Sequence, residues 1–364
     1  MKIIDKYIIK ELMAPLFFGV FAFTSLFVGT DILFELADLM IEWGVSIGTA
    51  GKLFFLSLPE VIVLTFPMAM LLATLLSFGR LSGDSEVVAL RAGGVSFIRL
   101  IIPVLIIAFL ISGLTIVLNE TVVPNSQDMY RKITWDVKHR EKMPTTQKHL
   151  RITPIDPKTG KIDYIFYAYT FDGSTMTMQD VTFQDYSNGK VVQVIEANKA
   201  KWTDKQWQFI DGIIYNTSSK ERVPTMEFNK YFVKKLNREP KQMTRAQKEP
   251  DEMSLNELDK YIKLREEEGR DTASLRVLYH QRYAIPFSCF IFALVGAPLG
   301  LQPNRSGASI GLGLSIVIIF IYYTFMTIGS TLGQAGTLAP AIGAWLQNII
   351  FTIVGIGLVI KTTR

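Results

Sequence analysis

Apolar residues fall along this chain in six long runs, three before a polar middle and three after it. The runs cover about Leu12–Phe34, Leu53–Phe78, Leu100–Leu118, Ala284–Leu301, Ile310–Thr331 and Ala341–Ile360. A helix needs roughly 20 mostly apolar residues to cross the hydrocarbon core of a bilayer. A buried helix of a soluble protein could imitate one such run, but not six at this spacing. The first run follows Lys2, Lys6 and Lys10, as a secretion signal would. It is too long for a signal's apolar centre and has no small-residue cleavage site, so it reads as an uncleaved first span.

Between the third and fourth runs the pattern changes to short alternating segments with turn dipeptides, from about Gln147 to Lys234. Asp172-Gly173, Asn188-Gly189 and Asp211-Gly212 suit tight turns that need positive φ. One predicted hairpin joins Val181–Tyr186 to Val191–Ala197, and a second pairs Lys199–Thr203 with Trp207–Ile210 across Asp204-Lys205. The stretch Ile162–Tyr169 is apolar at both alternating positions. Either it is a strand inside a two-sheet sandwich, or it borders a greasy interior that takes acyl chains. Residues 237–253 are polar, with Pro240 and Pro250, and read as a linker. Ser254 then predicts a helix start with Glu257 in a capping box, and Gly269 its end.

The expected fold is an integral membrane α-helical protein of six transmembrane helices with an inserted β-rich domain. Residues 1–118 hold spans one to three and a connecting helix near 80–96. Residues 119–275 hold the β-rich domain with its linker and helix, and residues 276–364 hold spans four to six. Lys and Arg in short loops set orientation. With the N-terminus inside, the inner segments hold Lys2, Lys6, Lys10, Arg80, Arg91, Arg99, Arg305, Lys361 and Arg364, and the short outer loops hold only Lys52. Both termini are therefore expected in the cytoplasm and the β-rich domain outside.

Charge and chemistry narrow the function. The formal net charge is +5, but the basic residues sit at helix ends and in an acid-rich middle, which is not a nucleic-acid surface. Cys289 is the only cysteine and lies in an apolar run, and His139, His149 and His280 are scattered without metal-ligand spacing. No GxxxxGK[ST] phosphate loop is present, so any ATP-driven activity needs a separate ATPase. Asp31 and Glu35 near the end of span one, and Glu60 near the start of span two, sit at the outer interface with no His or Cys beside them in sequence. No catalytic centre and no cofactor is expected.

The cytoplasmic segment 79–98 is the most informative. Asp84 can cap a short helix, Val87, Val88 and Leu90 give it an apolar side, and Gly93-Gly94 stops it. It is either an interfacial connector or a stiff helix whose exposed Glu86 and Arg91 dock a separate protein. The run Ser85-Glu86-Val87-Val88-Ala89-Leu90-Arg91-Ala92-Gly93-Gly94-Val95-Ser96 resembles the coupling-helix motif of the LptF/LptG (YjgP/YjgQ) permease family. Leu58-Pro59-Glu60 with Phe66-Pro67-Met68 resembles the family's second span. Pro298-Leu299 with Pro303-Asn304-Arg305-Ser306-Gly307 resembles its fourth-to-fifth junction, and Pro340–Trp345 the opening of its sixth span. The likeness runs in order over nearly the whole chain.

The resemblance implies a lipopolysaccharide-export permease subunit that pairs with a second LptF/LptG-type subunit and an LptB-like ATPase dimer, the ATP being bound by that partner. It implies that Glu86 contacts the ATPase while Arg91 and Gly93 shape the helix and its end. The β-rich domain becomes a periplasmic β-jellyroll that continues through an LptC-like bridge, and the subunit a resident of the bacterial inner membrane. Family members often carry Lys or Arg near the outer end of span one, where this chain has Asp31, Glu35, Asp38 and Glu42. Lys52, Arg276 and Arg282, the paired subunit, or a divalent cation on Asp31 and Glu35 could meet the lipid phosphates instead. Gly307, Gly311 and Gly313 open the fifth span with spacing that allows close helix approach, either within the subunit or as a lateral seam. The rival readings are a non-transporting scaffold that anchors a periplasmic bridge, and a lipid-modifying enzyme.

Overall fold

The computed structural model describes residues 3–139, 146–154, 161–172, 175–187, 189–203, 206–216, 223–236, 250–301 and 308–363. The chain forms two compact units, one of residues 1–138 and 273–364 and the other of residues 139–272. Lys2, Asn188, Gly173, the Asp204-Lys205 turn, most of the 237–253 linker, the Pro303–Gly307 turn and Arg364 lie outside the described residues.

Among the described residues, the first unit contains six helices long and apolar enough to cross a membrane. They are α1 (Ile3–Trp43), α2 (Ile47–Gly83), α4 (Phe97–Thr121), α7 (Ala273–Gly300), α8 (Ala308–Gln334) and α9 (Pro340–Thr363). The short α3 (Glu86–Ala92) joins α2 to α4, and α5 (Val123–His139) prolongs α4 almost without a break. The helices outrun the apolar windows that announce them. Residues 123–139 are polar overall, yet Tyr130, Ile133 and Val137 recur at helical spacing and pack with Ile32, Leu36, Leu39 and Leu53 of α1 and α2. In α1, Leu33 N–H reaches back to Val28 O, a single π turn at Val28–Ile32.

Burial differs sharply among the spans. In the most apolar window of each, 72% of residues are buried in α2 and 67% in α7, against 22% in α1 and 17% in α8. Neighbouring helices meet through small residues. A Cβ on Gly300 would lie 3.0 Å from Leu75 O and 2.9 Å from Phe78 Cβ, and one on Gly343 would lie 2.6 Å from Gly329 O. Between α7, α8 and α9, the Tyr322 hydroxyl donates to Asn348 Oδ1 at 2.6 Å, and Asn348 Nδ2 donates to Ala284 O at 2.8 Å. These buried polar groups satisfy one another where no water could.

The second unit is one antiparallel sheet whose strands follow in chain order: β1 (Thr146–Ile152), β2 (Tyr164–Asp172), β3 (Thr177–Ser187), β4 (Lys190–Thr203), β5 (Gln206–Asn216) and β6 (Val223–Val233). Both predicted hairpins form, with Val181 opposite Ala197 and Lys199 opposite Ile210. In a flat sheet β2 and β5 would stand about 14 Å apart, three strand spacings. Yet the rings of Phe166 and Phe209 are 6.2 Å apart, and those of Phe171 and Trp207 6.3 Å. The sheet therefore rolls over its own aromatic face. Tyr164, Phe166 and Ala168 enter that core, so Ile162–Tyr169 contributes a strand to a two-layered roll filled by the protein's own side chains.

Asp211-Gly212 is not a turn. It lies mid-strand in β5, in a line where every ladder of the sheet skips one pair: His149, Tyr169, Asp180, Asn198, Asp211 and Asn229. On alternate strands His149, Asp180 and Asp211 take φ of 57°, 50° and 55°. Buried positions that would otherwise alternate fall three apart across this line, as with Ala168 and Phe171 or Met178 and Val181. The sheet is creased there. Further along the chain Ser254 and Glu257 form the expected capping box of α6 (Leu255–Glu267), and Gly269 follows with φ of 64°.

Candidate functional site

The turn between α2 and α4 is built as a rigid elbow. Asp84 does not cap α3; it ends α2, with its carboxylate 3.6 Å from Arg80, and Ser85 precedes α3 at a φ of 59°. At the other end Gly94 N–H donates to Arg91 O and Val95 N–H to Leu90 O, while Leu90 and Val95 share one apolar cluster. This is a Schellman stop, and the residue in the left-handed region is Gly94, with φ of 86°. Gly93 has an ordinary φ of −77°. The conformational demand for glycine thus falls on the neighbour of the residue singled out from sequence.

Val87 is buried beneath α3 among Phe78, Leu81, Phe97 and Leu100. Val88 (64% exposed), Ala89, Arg91 and Ala92 are left on the outer side. Arg91 is exposed as expected. Glu86 is not fully so: it is half-buried and accepts a hydrogen bond from the Tyr7 hydroxyl at 2.6 Å. Two ion pairs flank that bond. Asp5 meets Arg99 at 2.6 Å, and Glu11 meets Arg80 at 2.9 Å. The sequence reading missed Asp5, Tyr7 and Glu11, because their partners lie at least 69 residues away. The available signal was a pair of acids in the opening turns of an apolar helix.

The remaining candidates are scattered over the first unit. Asp31, within the π turn, is exposed on α1 with Glu35, Asp38 and Glu42, at spacings of four, three and four that place all four on one stripe. Tyr130 faces the carboxylates of Glu35 and Glu60, and Gln127 donates to Glu60. Lys52 is exposed on α2, with no ion pair joining it to Asp31 or Glu35 among the described residues. Arg276 is exposed and Arg282 half-buried, both on α7. Gly311 packs against Leu76 of α2, its Cβ position 3.0 Å from that side chain, whereas Gly313 faces open space. Gly307 lies outside the described residues.

In the sheet, a groove of about 820 Å³ opens along the crease, lined in part by Tyr167, Tyr169, Asp180, Glu196, Asp211 and Glu227. Its wall mixes these carboxylates with Val181, Ile213 and Phe228. Lys235 lies between Asp163 and Asp185, 2.6 Å from each. Burial alone would lower its pKa, but hydrogen bonds to the two carboxylates and their charges outweigh this and raise it.

Among the described residues, six helices long and apolar enough to cross a membrane, with a β-sheet inserted between the third and fourth and a stiff elbow between the second and third, define a polytopic membrane protein. The chain matches the family described as "Lipopolysaccharide export system permease LptF/LptG" over residues 6–361, and it belongs to that family. It is similar to the "Lipopolysaccharide export system permease protein LptG" of Escherichia coli (strain K12), with 22% identity over 366 residues covering 99% of this chain and 98% of that protein. It is also similar to the protein of the same description from Haemophilus influenzae (strain ATCC 51907 / DSM 11121 / KW20 / Rd), with 23% identity over 371 residues and 96% of each chain covered.

Proposed function

We propose that this chain is a permease subunit of an ABC-type exporter that lifts lipopolysaccharide out of the bacterial inner membrane, driven by ATP hydrolysis on a separate ATPase. The observation that carries the reading is α3, a short helix pinned from beneath by Val87 and sealed by Gly94, whose outer side offers Val88, Arg91 and Ala92 to a partner. Withdrawing acyl chains from a bilayer costs about 0.8 kcal/mol per CH₂. A passive scaffold cannot supply that repeatedly, so an LptB-like ATPase dimer docked on α3 is the expected energy source.

In this reading the α3 end of the helical unit faces the cytoplasm, where Lys6, Lys10, Arg80, Arg91, Arg99 and Lys361 collect, and the sheet lies in the periplasm. The least buried spans, α1 and α8, are the ones left to meet a second permease subunit and to open for lipid. Strands β1 and β6 are the edges of the described sheet, where an LptC-like bridge protein could continue it by strand addition. Lys52 and Arg276 offer exposed positive charge to lipid phosphates; Asp31 and Glu35 would need a divalent cation in between.

The test is Val88→Asp, which puts a charge into the proposed contact. Copurification of the ATPase from native membranes should fall about tenfold or more, and lipopolysaccharide release should stop. Undiminished ATPase binding together with undiminished release would overturn the reading.

A further inference from the structure

We infer that the first turns of α1 are a key seated in the coupling elbow, so that α1 follows α3 when the ATPase moves it. The inference rests on α3 being the docking helix, and it assigns Asp5, Tyr7, Glu11, Arg80 and Arg99 as positioning residues for transport.

Five residues of α1 between Asp5 and Leu12 reach every part of the elbow. Asp5 pairs with Arg99 in the first turn of α4, at 2.6 Å, with side chains only 12% and 31% exposed. Tyr7 donates to Glu86, the first residue of α3. Glu11 pairs with Arg80 in the last turn of α2 at 2.9 Å, and its backbone carbonyl accepts a hydrogen bond from Ser77 at 3.1 Å. Between these polar contacts, Ile8 and Leu12 are buried with Phe78, Leu81, Val87 and Phe97.

The chain itself ties α3 only to α2 and α4. Along the chain the first turns of α1 reach the elbow only by way of the rest of α1 and the whole length of α2, and the apolar part of the contact is non-directional, so it would let this end of α1 slide or turn. A charged hydrogen bond fixes both distance and direction. Three such contacts, to three successive elements, fix α1 against the elbow as one body. Beyond the elbow α1 is sparsely buried, with Phe17, Phe18 and Phe21 exposed. A displacement of α3 is thereby handed to a span that packs along α2 through Leu16, Gly19 and Phe23 while its other side stays open.

The experiment compares Asp5→Arg, Arg99→Asp and the double swap in proteoliposomes that hold lipopolysaccharide and the ATPase that copurifies with the protein, recording lipid released per ATP hydrolysed. Each single reversal should keep the ATPase bound but lower lipid per ATP by about fivefold or more, and the double swap should return it to within about twofold of wild type. Tyr7→Phe removes one hydroxyl from an exposed side chain and cannot prevent folding. It should lower the ratio by about twofold to threefold, and it decides the matter if the charge reversals fail to assemble. An unchanged ratio in Tyr7→Phe and in the assembled single reversals would overturn the key, as would a double swap that remains as poor as the singles. Failure of the docking reading looks different: no ATPase copurifies with the wild-type protein, or Val88→Asp leaves binding intact.

Discussion

In the β-sheet the large aromatic side chains turn inward, whereas in the helical unit many turn outward. Phe166, Phe171, Trp207 and Phe209 are wholly buried, while Phe21 and Phe320 are 74% and 73% exposed. The two units bury different things because they fold in different solvents. The sheet gains from removing apolar area from water, so its bulkiest residues form the core. Between helices in lipid there is no such gain, and association depends on close packing and on polar groups that satisfy each other. That is why glycines and the Tyr322–Asn348 pair occupy the helix seams. It also leaves the outer spans free to expose aromatic rings without penalty.

The sharpest way to break this comparison is to truncate an aromatic residue in each unit. Trp207→Ala should destabilise the sheet by about 4 kcal/mol. Phe320→Ala should change the stability of the helical unit by less than about 0.5 kcal/mol. Denaturant titration of the whole protein in detergent, followed by limited proteolysis of each unit, measures both. Equal effects would mean that the helical unit also depends on its aromatic residues.

Next comes Gly343→Val, an apolar gain that a water-soluble core might absorb. Here the added carbon meets the backbone of Gly329 and Gly333, so α8 and α9 must separate. The expected loss is about 3 kcal/mol, read as the fraction still monodisperse after heating.

A smaller, pH-dependent loss should come from Lys235. Its pKa is raised above the ordinary 10.5, so the pairs with Asp163 and Asp185 stabilise the sheet fully below 10.5. That contribution fades as pH climbs through the raised value and the ammonium loses its proton. Because the side chain is partly exposed, Lys235→Met should cost about 0.5–1 kcal/mol at pH 8 and nearly nothing at strongly alkaline pH. A difference that persists at high pH would assign the effect to packing instead.

Much of this fold could be read along the chain. Six spans, two hairpins and the Ser254–Glu257 cap each depend on residues within about 30 positions of one another, and local pattern reports them. The crease escaped notice because His149, Asp180 and Asp211 enter the left-handed region without being glycine, and Asp211-Gly212 imitates a turn. Residues 123–139 escaped because an amphipathic helix that continues an apolar one looks polar on average. At the candidate site the elbow was visible in Ser85–Ser96. The polar partners that hold it were not, since a pair such as Tyr7 and Glu86 becomes adjacent only when separate helices pack.

The line of skipped pairs across the sheet also bears on strand alignment. A pleated sheet with unbroken ladders can mispair by sliding one strand two residues, since every side chain then keeps its face. In this roll such a slide would carry Asp180 or Asp211, with its unusual backbone, away from its neighbours' skipped positions and into the middle of an unbroken ladder. Like a folded page, the six strands cannot shift past one another without flattening the fold, so correct pairing is enforced by backbone shape as well as by the aromatic core.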